Sequence, residues 1–266
     1  MGHRLCLFER RRRRRNSLLG EVSEGAAGAP SEQASVELVW DGVRQALTLL
    51  ARGDAEVLGI TLLSLEISGA ATGLALLLGV PLGIGLALAR FPGRGLVISL
   101  VNTGMGLPPV VVGLFVSILL WRSGPLGFLG WIYTPLAMVL AQLVIAAPIV
   151  TGLTLAAIQQ IPARFRLQML GLGASRAQML RVLAHEARLP MLAAAMAGFG
   201  GVISEVGASI MVGGNIRGQT RVLTTATVLE TGKGNFDVAI ALSLLLLAIM
   251  FLVNAALTWI QQRRAA

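Results

Sequence analysis

Charge is what this sequence has least of. Only 13% of its 266 residues are charged, about half of the ~25% usual in soluble globular domains. Hydrophobic residues make up 55%, and the mean hydropathy is +0.76, so a soluble globular chain is excluded. Cysteine is nearly absent: Cys6 is the single one, which rules out an intrachain disulfide and leaves the redox compartment open. His3 and His185 are the two histidines, and neither lies in a His-Glu-x-x-His pattern, so a zinc site is not expected. Ser204 and Ser209 have no histidine in a neighbouring span to act as base. Gly232-Lys233-Gly234 lacks the preceding glycine and the hydroxyl of a phosphate loop. Gly171-x-Gly173 lacks the third glycine and the preceding strand of a dinucleotide fingerprint. The chain is therefore not read as an enzyme, and any ATP, with its magnesium, belongs on another subunit.

What is present is a series of apolar runs, each long enough for a helix of ~20 residues across a bilayer. The fold class is all-α, a multi-pass helical membrane protein. Five spans are expected, at about 57–89, 96–120, 135–158, 191–212 and 238–260. The first exceeds the bilayer core, so it tilts, bends near Pro81 or projects into water. Gly69-x-x-x-Gly73 and Gly79-x-x-x-Gly83 offer small faces for close helix packing. The second span holds Pro108-Pro109, which frees backbone carbonyls and reads either as part of a pathway or as a packing kink. Glu66 and Glu205 are carboxylates within apolar segments, where charge is costly and faces protein or water. Glu205 is expected to make a buried hydrogen bond or salt bridge that positions the fourth span.

Residues 1–35 read as a disordered basic extension, with Arg10–Arg15 available to anionic lipid headgroups. Residues 36–50 read as an amphipathic helix lying at the interface, with Trp40 in the headgroup region. The membrane-embedded body then covers 36–264. A net charge of +9 raises the idea of nucleic acid. The bases instead cluster beside apolar segments, as the positive-inside rule requires, and no nucleic-acid partner is expected. By that rule residues 161–190 and the carboxyl terminus are cytoplasmic. Five spans then put the amino end outside, against the charge of Arg10–Arg15. Either that run is no topological signal, or a further membrane insertion lies near 36–50.

Residues 161–190 are the longest polar interruption. Arg164, Arg166, Arg176, Arg181 and Arg188 sit among regularly spaced apolar residues, too basic to cross a membrane and too apolar for a solvated loop. Such an amphipathic segment suits a soluble partner. Ile161-Pro162 followed by Leu172-Gly173-Ala174-Ser175-Arg176 resembles the "EAA" loop of permease subunits in ATP-binding-cassette importers of the type I fold. Leu167-Gln168-Met169 stand where Glu-Ala-Ala is the family pattern. Ser204-Glu205-Val206-Gly207-Ala208-Ser209, with Gly213-Gly214-Asn215-Ile216-Arg217-Gly218-x-Thr220, is similar to segments of oxyanion permeases for molybdate, tungstate or sulfate. Arg217 replaces the usual proline, the form most like tungstate permeases.

The resemblance covers about residues 36–264. It implies a homodimeric permease of the bacterial inner membrane, two ATPase subunits and an extracytoplasmic binding protein. It also assigns an ATPase-coupling set: Phe165, Met169, Leu172, Gly173, Ala174, Ser175, Arg176 and Met179. Phe165, Met169, Leu172 and Met179 would fill the partner's groove, with Arg176 and Arg181 at its rim. A pathway or gate set is expected at Pro108, Pro109, Glu205, Gly207, Asn215, Arg217, Thr220 and Arg221. Asn215 and Thr220 either offer donors to a tetrahedral dianion or shape their loop. Arg217 and Arg221 either attract the anion at the outer mouth or shape the loop and receive the binding protein.

Overall fold

The structure is a computed structural model that describes residues 40–44, 48 and 54–263, without the side chains of Ala163 and Arg176. The expectations for residues 1–35 and for most of 36–50 lie outside them; residues 40–44 are helical. Among the described residues there are helices and turns but no strand.

Helix α1, Ala55–Leu88, starts where the Asp54 carboxylate accepts from the amides of Glu56 and Val57 at 2.9 and 3.0 Å, satisfying two of the free donors of a helix start. It runs 34 residues through Pro81, about 51 Å at the helical rise, well beyond a ~30 Å hydrocarbon layer. It ends at extended Ala89, and the Arg94 Nε donates to the Leu86 carbonyl at 2.8 Å, a cation over a helix C-terminus.

The second expected span is not one helix. Helices α2, Arg94–Met105, and α3, Pro109–Leu120, meet at 103°. The cause is local: Leu107 and Pro108 each precede a proline and are driven away from helical backbone, while Pro109 is well suited to the first turn of α3. A turn with a short 3-10 segment, Gly127–Leu129, leads to α4, Pro135–Gln159.

Helix α4 is the hub. Half of its apolar window is buried, against 28% for α1 and 17% for the last helix. Small residues let α1 lie close: a Cβ on Gly83 would stand 2.7 Å from the Thr151 carbonyl oxygen. The Gly79/Gly83 face is thus a packing face, whereas Gly69 and Gly73 face open space among the described residues. Ile67, Val112, Met138, Ile145, Val150 and Val202 belong to the main apolar core.

Two short helices follow, α5, Ala163–Gly171, and α6, Arg176–Glu186. Then come α7, Arg188–Ile203, and α8, Gly207–Gly213, bent by 59°. The fourth expected span is therefore broken at Ser204–Val206, a break not anticipated from sequence, and it begins three residues earlier than Met191. Pro190 fits there because it lies in the first turn of α7. Helix α9, Leu223–Gly232, and α10, Phe236–Arg263, pack through Leu223, Ala226, Leu242 and Leu245 against Ile60 of α1. Among the described residues, three helices are long and apolar enough to cross a membrane, or up to five if each bent pair counts as one span. On α10, Leu247, Phe251, Leu252 and Trp259 are exposed, the face a lipid environment would cover.

Candidate functional site

The chain's polar chemistry gathers at three places: the α5–α6 hairpin at one end, the two helix breaks in the middle, and the Gly214–Val222 loop at the other end. In the hairpin, the Gly173 amide donates to the Leu170 carbonyl and the Ala174 amide to that of Met169, each at 3.0 Å. Gly173 has φ +77°. This is a Schellman stop, whose left-handed residue favours glycine. Helix α6 then starts with a capping box: the Gln178 amide donates to Ser175 Oγ at 3.3 Å, and the Ser175 amide donates to Gln178 Oε1 at 2.7 Å. Leu172-Gly173-Ala174-Ser175 is thus one helix stop joined to one helix start, and Arg176 opens α6.

The apolar side chains of the hairpin divide into two sets. Leu167, Leu170, Leu172 and Leu180 are exposed, Leu172 at 83%. Phe165 and Met179, expected to reach outward into a partner, instead pack inward against the cluster of Ala157, Ile158, Leu183 and Ala187; Met169 is half-buried. The reason is length. Helices of 9 and 11 residues are marginal alone, and these two side chains fix them to the end of α4.

The two breaks touch each other. A Cβ on Gly207 would stand 2.6 Å from the Val110 side chain, and one on Gly113 2.7 Å from Ala208 Cα. Ser117 Oγ donates to the Met211 carbonyl at 3.2 Å. So α3 and α8, each starting at a break, pack side by side, with Pro108-Pro109 and Gly207 at the junction. Glu205 is buried there; its Oε1 accepts from the Ala208 amide at 2.9 Å, and its carbonyl accepts from Thr224 Oγ1 at 3.0 Å. Its carboxylate thereby caps the start of α8. Buried Gln142 of α4 stands behind, with Nε2 3.5 Å from Ser209 Oγ and Oε1 without a partner.

The Gly214–Val222 loop consumes most of its own polar groups. Thr220 is fully buried; its hydroxyl donates to the Gly213 carbonyl at 2.5 Å and accepts from the Ile216 amide at 2.9 Å. Asn215, at φ +53°, donates through Nδ2 to the Thr225 carbonyl at 3.3 Å and accepts from Thr225 Oγ1 at 3.0 Å. Both side chains are thus hydrogen-bonded locally, Thr220 within the loop and Asn215 to Thr225. The Leu223 amide donates to Ser64 Oγ at 2.9 Å and ties the loop to α1. The charged residues behave differently. Arg217 forms a two-point fork on Glu56, with Nε 2.7 Å from Oε1 and Nη2 bonded to Oε2, and Arg221 Nη1 is 3.6 Å from the same Oε1. The hydrogen bond from Glu56, and then its charge, push the Arg217 pKa up.

Glu56, Ser64 and Gln142 were not singled out from sequence. Glu56 reads as an ordinary first-turn acid, and only the loop's return 161 positions later gives it partners. Gln142 carried a signal: it is a lone amide inside an apolar span, where a polar group needs a partner.

The family model for the inner membrane component of binding-protein-dependent transport systems matches residues 79–266. The chain belongs to this family. Among its relatives, a probable anion ABC transporter permease of Haloferax volcanii is 40% identical over 78% of this chain and 93% of its own length. A tungstate uptake system permease of Peptoclostridium acidaminophilum is 37% identical over 85% of this chain and 100% of its own. A molybdenum transport permease of Escherichia coli is 30% identical over 77% and 94%. The fold is also that of the inward-facing methionine ABC transporter MetNI, with a TM-score of 0.64 at 21% identity over 82% of this chain and 96% of the other. As a family member the chain is a transport subunit of an ABC importer.

Proposed function

We propose that this chain is the membrane-spanning subunit of an importer that moves tungstate inward, with the ATP and magnesium held by separate ATPase subunits. The observation that carries this reading is the 37% identity to a tungstate uptake permease over that relative's entire length. On this reading two copies of the chain work with two ATPases and an extracytoplasmic binding protein. The hairpin and the carboxyl terminus face the cytoplasm.

The exposed Leu167, Leu170, Leu172 and Leu180 are the docking surface for the ATPase, and Phe165 and Met179 transmit its movement to α4. A stiff linkage suits that role, since inward-packed side chains leave the hairpin no freedom to move alone. The paired breaks at Pro108-Pro109 and Glu205–Gly207 form the flexible middle of the pathway, because helix breaks at membrane depth persist where they line a cavity or are buried in protein. Arg217 and Arg221 draw the dianion to the outer mouth.

Molybdate is the second reading, supported by the molybdenum relative. Calorimetry of the cognate binding protein with tungstate, molybdate and sulfate separates the two, since in such an assembly the binding protein sets the selectivity. Binding of tungstate at least tenfold tighter than molybdate is the expected result; a preference for molybdate or sulfate reassigns the cargo.

A further inference from the structure

A cavity of about 520 Å3 opens beside the first turns of α1, with Glu56, Glu66, Arg217, Gln219 and Arg221 in its lining. Two guanidiniums converge there on one carboxylate, and their shares are unequal. Arg217 takes both Glu56 oxygens, yet its side chain is 72% exposed. An ion pair so open to water is weakened by solvent and salt, so it is readily exchanged. Arg221 is the reverse: its side chain is 17% exposed, it stands 3.6 Å from Glu56, and its buried Nε has no hydrogen-bond partner. A guanidinium presents five donors in a fixed fork, and a buried donor left idle carries a desolvation cost. A carboxylate supplies two oxygens and one negative charge, which Arg217 nearly saturates. A tetrahedral dianion supplies four oxygens and two charges, enough for both forks.

We propose that this cavity is a transit site for a tetrahedral oxyanion, and that Glu56 is its built-in competitor, holding Arg217 and Arg221 until the dianion replaces it. The proposal rests on the oxyanion-import reading above. Exchange frees the first turn of α1 from the arginines, while the Ser64–Leu223 hydrogen bond keeps the base of the loop attached. The loop can therefore swing without leaving α1. Glu66, exposed on the same wall and without an ion pair among the described residues, weakens the hold of the cavity on a dianion and so opposes trapping.

The test uses the detergent-solubilised complex of permease and ATPase, dialysed to equilibrium against sodium tungstate at constant ionic strength, without binding protein. Glu56→Gln removes the competitor's charge and is expected to tighten tungstate binding about tenfold over wild type. Adding Arg221→Gln or Arg217→Gln to it is expected to abolish the gain; the Arg217 change alters an exposed side chain and leaves the fold intact. Binding by Glu56→Gln no tighter than wild type overturns the proposal, as does a gain that survives in the Arg217→Gln double variant. ATP-driven tungstate, molybdate and sulfate uptake by the wild type is measured in parallel. Transport with unchanged Glu56→Gln binding defeats only the competitor, whereas absence of all three activities defeats the oxyanion reading itself.

Discussion

The two ends of the bundle solve opposite problems with similar sequence. Both the α5–α6 hairpin and the Gly214–Val222 loop are polar, glycine-containing interruptions between apolar segments. The hairpin satisfies its backbone internally through a stop and a start, then leaves four leucines in the open. The loop ties Thr220 into itself and Asn215 to Thr225, and leaves Arg217 at the surface, latched to Glu56 beside the more buried Arg221. Exposed apolar side chains on a fixed frame suit a lasting protein contact, because burial rewards them continuously. Exposed charges in a shallow latch suit a passing ion, because water and salt keep their pairing weak. On the proposed function, one end holds a partner and the other exchanges an ion.

The strongest way to break that contrast is at Leu172. Its side chain is 83% exposed, so Leu172→Asp should leave the fold intact. It should weaken ATPase association about a hundredfold, from ~2–3 kcal/mol of lost apolar burial. Co-purification with the ATPase measures this, and undiminished association would show that the exposed leucines are lipid-facing instead. Next is Thr220→Val, which strands the Gly213 carbonyl and the Ile216 amide in a buried place. A loss of about 2 kcal/mol is expected, read as lower resistance to denaturant. Arg217→Gln, in the same loop, should change that resistance far less, because its pair with Glu56 is open to water. Equal effects of the two would erase the distinction between the loop's frame and its latch.

Phe165→Ala sharpens the other end. With Phe165 half-buried against the end of α4, about 1.5 kcal/mol of stability should go, roughly half the value of full burial. Uptake should fall more than ATPase association, because the frame loosens while the docking leucines remain. A fall in association as large as that of Leu172→Asp would return Phe165 to the docking face.

The smallest effect concerns Glu230, which Asn235 and Lys233 hold by hydrogen bonds that push its pKa below the usual carboxylate range. A depressed carboxylate stabilises the fold above its unfolded pKa. Its share is lost as pH falls through the folded value. A slight loss of stability in mild acid that is absent in Glu230→Gln is expected. An identical acid profile in the two would remove Glu230 from the account.

Much of the fold was legible because its causes are local. Hydropathy placed the apolar segments, Pro108-Pro109 signalled trouble in the second, and Gly173 and Ser175 marked the hairpin's turn. The 103° bend was stronger than the expected kink, since two successive pre-proline residues cannot both stay helical. The break at Glu205 was hidden, because Ser204-Glu205-Val206 contains no breaker. It holds by contacts from elsewhere: Val110 against Gly207, and Thr224 on the Glu205 carbonyl. The site was half legible for the same reason. Arg217 and Arg221 stand out by charge in the sequence, but Glu56 becomes their partner only through a contact between the start of α1 and a distant loop. Which hairpin side chains face outward depends on where α4 ends, and periodicity within 163–186 does not contain that.

On the proposed function, this chain is the permease of an ATP-driven tungstate importer with a docking end and an exchanging end. Vesicles holding the permease, its ATPase and its binding protein test it most directly, through tungstate uptake with and without ATP. The account predicts uptake that requires ATP, stops with vanadate and collapses in Leu172→Asp. Tungstate uptake that proceeds without ATP, or that survives Leu172→Asp at the wild-type rate, would contradict it.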